Sequence, residues 1–72
     1  MDSFANRLKE LRQENNVTQK QVSELPNITE RNYQRYEYGL VNPTATNCIL
    51  LADYYQVSID YLLGRSDVKW WK

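Results

Sequence analysis

Glu30, Arg31, Asn32, Gln34 and Arg35 bring a carboxylate, two forked guanidinium groups and two amides into one short stretch of chain. Such groups suit directional hydrogen bonding to a patterned partner. Thr29 can cap a helix that carries them outward, and Gly39 can end it. A short capped helix with such side chains, held across a turn by a second helix, is the shape that enters a DNA major groove. No competing constellation for catalysis is present. The chain has no histidine, which removes the usual general base, the nucleophile–histidine arrangements and the common zinc ligand sets. Its carboxylates are scattered, and it has no glycine-rich phosphate loop. An enzyme, a metal site and a cofactor are therefore not expected.

Five helical segments can position the polar stretch. The first runs from Ser3, a candidate cap, to about Asn15, with Phe4, Leu8 and Leu11 on one stripe. Thr18 and Gln21 have capping-box spacing and open the second, whose Val22 and Leu25 form an apolar edge. Pro26 disfavours helical geometry at Leu25, and Asn27 tolerates a left-handed backbone, so a turn follows. The third segment, Thr29 to Gly39, turns Tyr33 and Tyr36 inward. Thr44 caps a fourth, with Ala45, Cys48, Ile49, Leu51, Ala52 and Tyr55 as its apolar stripe. Ser58 opens a fifth in which Ile59, Leu62 and Leu63 face inward and Gly64 is the stop. No segment alternates with period two, so an all-α domain is expected.

Composition bounds the reading. Seventy-two residues suffice for one small domain, which buries roughly 60% of its unfolded surface. One cysteine, Cys48, allows no internal disulfide and reads as a small buried apolar residue. There is no membrane-length apolar run and no signal-peptide core, so a reducing cytoplasm is the expected setting. Nine Lys+Arg balance nine Asp+Glu. A neutral chain binds DNA weakly without sequence preference and with a shallow salt dependence, because phosphate neutralisation supplies most non-specific affinity.

LKELRQENNVTQKQVSEL, ITERNYQRYEYG, NPT and LLADYYQVSIDYLLGRSD together resemble the Cro/CI-type (Xre) helix-turn-helix regulators, without gaps from about Arg7 to Asp67. The resemblance implies a compact five-helix, lambda-repressor-like DNA-binding domain, with the helix-turn-helix formed by helices 2 and 3. It divides the chain into a domain over 1–67 and a short aromatic tail over 68–72. It also implies a cytoplasmic repressor that binds double-stranded DNA as a homodimer on a near-palindromic operator, with no membrane or small-molecule partner. Position by position, Thr18 and Gln19 fall where the family grips phosphate. Glu30, Arg31, Asn32 and Arg35 fall on the base-reading positions. Arg31 or Arg35 suits guanine and Asn32 adenine; Glu30 either accepts from cytosine or braces Arg31 or Gln19. Gln34, Tyr38 and Asn42 are assigned to the DNA backbone.

Several residues depart from the family pattern. Pro26 and Asn27 stand where a buried leucine and a glycine are usual, which shortens the second helix. Leu40-Val41 replaces a basic pair, and Asn47 and Cys48 replace larger apolar residues, leaving the core underfilled near Cys48. Taken alone, Arg31 and Arg35 also fit an ordinary solvated helix face, with ion pairs worth a few tenths of a kcal/mol. All tyrosines except Tyr38 are expected in the core or half-buried. The VKWWK tail either folds back over the fourth and fifth helices, extends a dimer interface, or leads into a longer regulator. Leu40, Val41 and the tryptophans also keep open a rival reading, a protein-interaction module on the same fold.

Overall fold

The computed structural model describes residues 2–25 and 28–69. It contains α1 (Asp2–Glu14), α2 (Gln19–Val22), α3 (Glu30–Glu37), α4 (Ala45–Tyr55) and α5 (Ile59–Leu62), and no strand among the described residues. None of these helices is long and apolar enough to cross a membrane.

Hydroxyl caps set the starts. Thr18, Thr29, Thr44 and Ser58 each accept the backbone N–H three residues on, satisfying a donor the helix itself cannot. The expected cap at Ser3 is absent: α1 already includes Asp2, so Ser3 lies inside the helix. Left-handed residues set the stops. Asn16, Gly39, Gln56 and Gly64 take positive φ after α1, α3, α4 and α5. Each allows the next residue's N–H to reach back five residues, as from Val17 to Arg12 and from Leu40 to Arg35. Gly64 is also a close-approach site, since a Cβ there would collide with the side chain of Ser3.

The core is built from Phe4, Leu8 and Leu11 of α1, Val22 of α2, Ile28 before α3, Tyr33 and Tyr36 of α3, and Cys48, Leu51, Ala52 and Tyr55 of α4, closed by Val57 and Leu62. Leu25 packs at its edge. Polar atoms inside it are matched. The Tyr33 and Tyr55 hydroxyls lie 3.0 Å apart, and Asn47 Nδ2 donates to Tyr36 Oη at 2.8 Å. Asn47 is thus a buried partner for a tyrosine, which explains a polar side chain at an otherwise apolar position.

The apolar stripes were drawn too wide in two places. On α4 Ala45 and Ile49 are exposed, Ile49 at 47%, and on α5 Ile59 is 40% exposed; Tyr54, expected at least half-buried, is exposed too. On α4, Cys48, Leu51, Ala52 and Tyr55 already fill the inward arc, and Ile49 lies one step around the helix from it. Cys48 itself is packed in the core, and outside it lies an open, mostly apolar groove of about 400 Å³ whose lining includes Asn42, Pro43, Ala45, Ile49, Ile59 and Leu63. Burial pushes the Cys48 thiol up, which disfavours the reactive thiolate.

Beyond α5 the chain returns along α5 and α1. Ser58 N–H donates to the Lys69 carbonyl and Ser58 Oγ to the Val68 carbonyl, both at 2.8 Å. Lys69 Nζ meets Glu14 at 2.8 Å. Residues 68–69 therefore fold back onto the start of α5 and onto α1. Trp70 and Trp71 lie outside the described residues, as do Pro26 and Asn27, on which the expectations for the turn rested. Up to that turn, α2 is indeed short, ending at Val22 with Ser23 as its cap.

Candidate nucleic-acid interface

The spacing along α3 divides it into two faces. Tyr33, Tyr36 and Glu37 are buried, whereas Glu30 and Arg31 are exposed and Asn32, Gln34 and Arg35 half-buried. Tyr38, at the helix end, is 63% exposed, and Asn42 lies exposed in the following loop. All four expected base-reading residues thus share the outer surface of one helix. None of Glu30, Arg31 and Arg35 takes part in an ion pair among the described residues, so Glu30 does not brace Arg31.

Behind this surface lies a group that the reading of the sequence missed. Glu37 is buried, its side chain only 1% exposed. Its carboxylate accepts from Arg12 Nε at 2.6 Å and Nη2 at 3.2 Å, and from Gln19 Nε2 at 3.2 Å. One carboxylate therefore ties α1, α2 and α3 together at the seat of the outward helix. Burial alone would push the Glu37 carboxyl up; its hydrogen bonds, Arg12's foremost, prevail and hold it below the usual range. The bond to Glu37 correspondingly raises Arg12, so both members stay charged at neutral pH. Burial likewise pushes Tyr55 up to about 12, and raises Tyr33. The missed signal was Glu37 itself, four residues after the inward Tyr33: a carboxylate in an apolar stripe must find a cation.

The start of α2 is a complete capping box. Thr18 N–H donates to Gln21 Oε1 at 2.8 Å and Gln21 N–H to Thr18 Oγ1 at 3.1 Å. Thr18 is therefore engaged within the helix through both its N–H and its hydroxyl. The backbone N–H groups of Gln19 and Lys20 have no hydrogen-bond partner among the described residues. The Gln19 side chain bonds Glu37 and not Glu30. Lys20, exposed beside it, is a further cation on this side that was not singled out beforehand.

A capped outward helix braced by a shorter one defines a helix-turn-helix domain. The helix-turn-helix family profile matches residues 8–62, and the chain belongs to the Xre, Cro/CI-type family of helix-turn-helix transcriptional regulators. It is 41% identical over 66 residues to the HTH-type transcriptional regulator ImmR of Bacillus subtilis (strain 168), covering 92% of this chain and 52% of the relative. It is 39% identical over 59 residues to the cryptic phage CTXphi transcriptional repressor RstR of Vibrio cholerae, covering 82% and 53%. A crystal structure of a transcriptional regulator from Listeria innocua superposes with a TM-score of 0.80 at 33% identity, over 96% of this chain and 64% of that one. The chain spans about half the length of the curated relatives it matches.

Proposed function

We propose that this chain binds double-stranded DNA sequence-specifically in the cytoplasm and represses transcription by occupying an operator. The observation that carries the reading is the outer face of α3, where Glu30, Arg31, Asn32 and Arg35 share one surface above a seat locked by Arg12, Glu37 and Gln19. A helix held that firmly can present forked donors in register with base edges. Arg31 or Arg35 reads guanine, Asn32 adenine and Glu30 a cytosine amino group, each correct pair giving about 1–3 kcal/mol of discrimination. Thr18, Gln19, Gln34, Tyr38 and Asn42 contact the sugar-phosphate backbone. That RstR is named a repressor supports the direction of the effect.

One eight-residue helix contacts few base pairs, so two copies act together, with reading helices roughly 34 Å apart on a near-palindromic site. The contact between copies is the groove between α4 and α5, flanked by exposed Ile49 and Ile59. Its lining contains no charged side chain, so the same patch on two subunits can meet without like-charge repulsion, as a two-fold interface requires.

Selection from a random duplex pool tests this reading, beside sedimentation to count chains. A single enriched motif with dyad symmetry, bound by two chains and lost in Arg35→Ala, is the expected result. No enrichment at any salt concentration would reassign the fold to protein docking, which the zero net charge and the exposed Leu40 would then explain.

A further inference from the structure

We infer that Glu37 is a positioning residue for DNA binding, acting through Gln19: it selects which end of the Gln19 amide faces away from the protein and holds it there. The inference rests on the DNA-binding reading above and assigns a role to a residue that no nucleic acid can touch. Glu37 Oε1 accepts from Gln19 Nε2 at 3.2 Å, and the same oxygen accepts from Arg12 Nη2 at 3.2 Å. With Arg12 Nε on Oε2 at 2.6 Å, the carboxylate cannot rotate without losing a forked ion pair.

A carboxylate only accepts hydrogen bonds, so the amino end of the Gln19 amide must face it. That amino group has two hydrogens. One goes to Glu37, and the other remains for an oxygen outside the protein. An untethered glutamine samples many rotamers and can turn its carbonyl toward a phosphate, where it repels. Tethering removes both costs before DNA arrives. Gln19 is half-buried and opens α2, whereas Glu37 closes α3, so the same bond couples a backbone-gripping residue to the orientation of the reading helix.

Two roles can be told apart, a positioning one and a purely structural one. Replacing Arg12 and Glu37 together by methionine removes both charges, so no charge is left buried alone, and it also deprives Gln19 of its acceptor. Gln19→Ala is then measured in the wild-type chain and in the Arg12→Met/Glu37→Met background, on the selected operator, at a temperature where circular dichroism shows every variant folded. In the wild-type chain Gln19→Ala is expected to weaken binding about tenfold. In the methionine background it should weaken binding less than about twofold, because the amide is no longer held. An equal loss in both backgrounds would overturn the inference.

If the methionine pair does not fold, Glu37→Asp replaces it. That change keeps the charge for Arg12 and withdraws the carboxylate from Gln19 by one methylene, and the same disappearance of the Gln19→Ala effect is expected. Failure of the wild-type chain to select any sequence sinks the DNA reading; a selected operator with equal losses sinks only the role of Glu37.

Discussion

Two arginines of α1, Arg7 and Arg12, do similar work in opposite surroundings. Arg12 forks onto Glu37 beneath α3, with the carboxylate sealed from water. Arg7 donates to the carbonyls of Tyr61 and Ser66, reaches Asp67 at 3.1 Å, and lies 4.1 Å above the Tyr61 ring, but Asp67 is fully exposed. Arg12 sets the seat of α3, and Arg7 gathers the segment that follows α5. Charge specifies geometry where it is buried and only decorates where it is exposed. A buried carboxylate with one cation in reach cannot exchange it for water, so it fixes geometry. An exposed one exchanges its partner for water at little cost.

The largest effect should come from separating the buried pair. Arg12→Met leaves Glu37 charged and unmatched, and should lower unfolding free energy by about 3 kcal/mol or more in urea titrations. The comparison also has a pH signature. Glu37 has its carboxyl pKa lowered in the folded state, against about 4.3 for an unperturbed glutamate. Its contribution is complete above that unfolded value and is lost as pH falls through the lower folded one. Urea midpoints measured from pH 7 to pH 3 should therefore show wild-type stability falling below about pH 4, with that component missing in Arg12→Met/Glu37→Met. A wild-type midpoint that stays flat to pH 3 would show that the pair contributes nothing.

That asymmetry also explains what the sequence could disclose. The outward face of α3 was legible because its determinants are local: the Thr29 cap, the inward Tyr33 and Tyr36, and the stop at Gly39. The caps at Thr18, Thr44 and Ser58 were legible for the same reason. The seat beneath α3 was not, because Arg12 and Glu37 are 25 residues apart and meet only once three helices have packed. Helical spacing also marks a residue as apolar without saying what covers it. Ile49 and Ile59 were therefore assigned to the core and are found on the surface, beside the groove proposed to join two copies. At Asn47, where the family pattern has a larger apolar residue, the fold has a hydrogen bond to Tyr36.

Smaller effects are expected on the Arg7 side. Gly64 has a φ of +80° and abuts Ser3, so Gly64→Ala should cost about 2 kcal/mol from backbone and steric strain together. Ser3→Gly in the same chain should restore part of that, since it removes the colliding atoms. No recovery would mean that backbone conformation alone governs the end of α5. Arg7→Met should cost less, about 1 kcal/mol: its two carbonyl contacts are charge-assisted, but the groups it releases can turn to water. A loss matching Arg12→Met would erase the distinction between the two arginines.

Asp67→Asn is the smallest change and the most direct probe of that distinction. The Arg7–Asp67 pair has nearly the geometry of the weaker arm of the Arg12–Glu37 fork, 3.1 Å against 3.2 Å. If separation alone decided the strength of an ion pair, the two contacts would rank together. Asp67 is fully exposed, so water and salt screen it, and holding its side chain in place costs entropy that the attraction barely offsets. Arg7 keeps its carbonyl partners at Tyr61 and Ser66 when the charge is removed, so no donor is left stranded. Thermal melts of Asp67→Asn should therefore overlay the wild type at both low and moderate salt. A drop in melting temperature that grows as salt is diluted would show that the exposed pair does hold the returning chain.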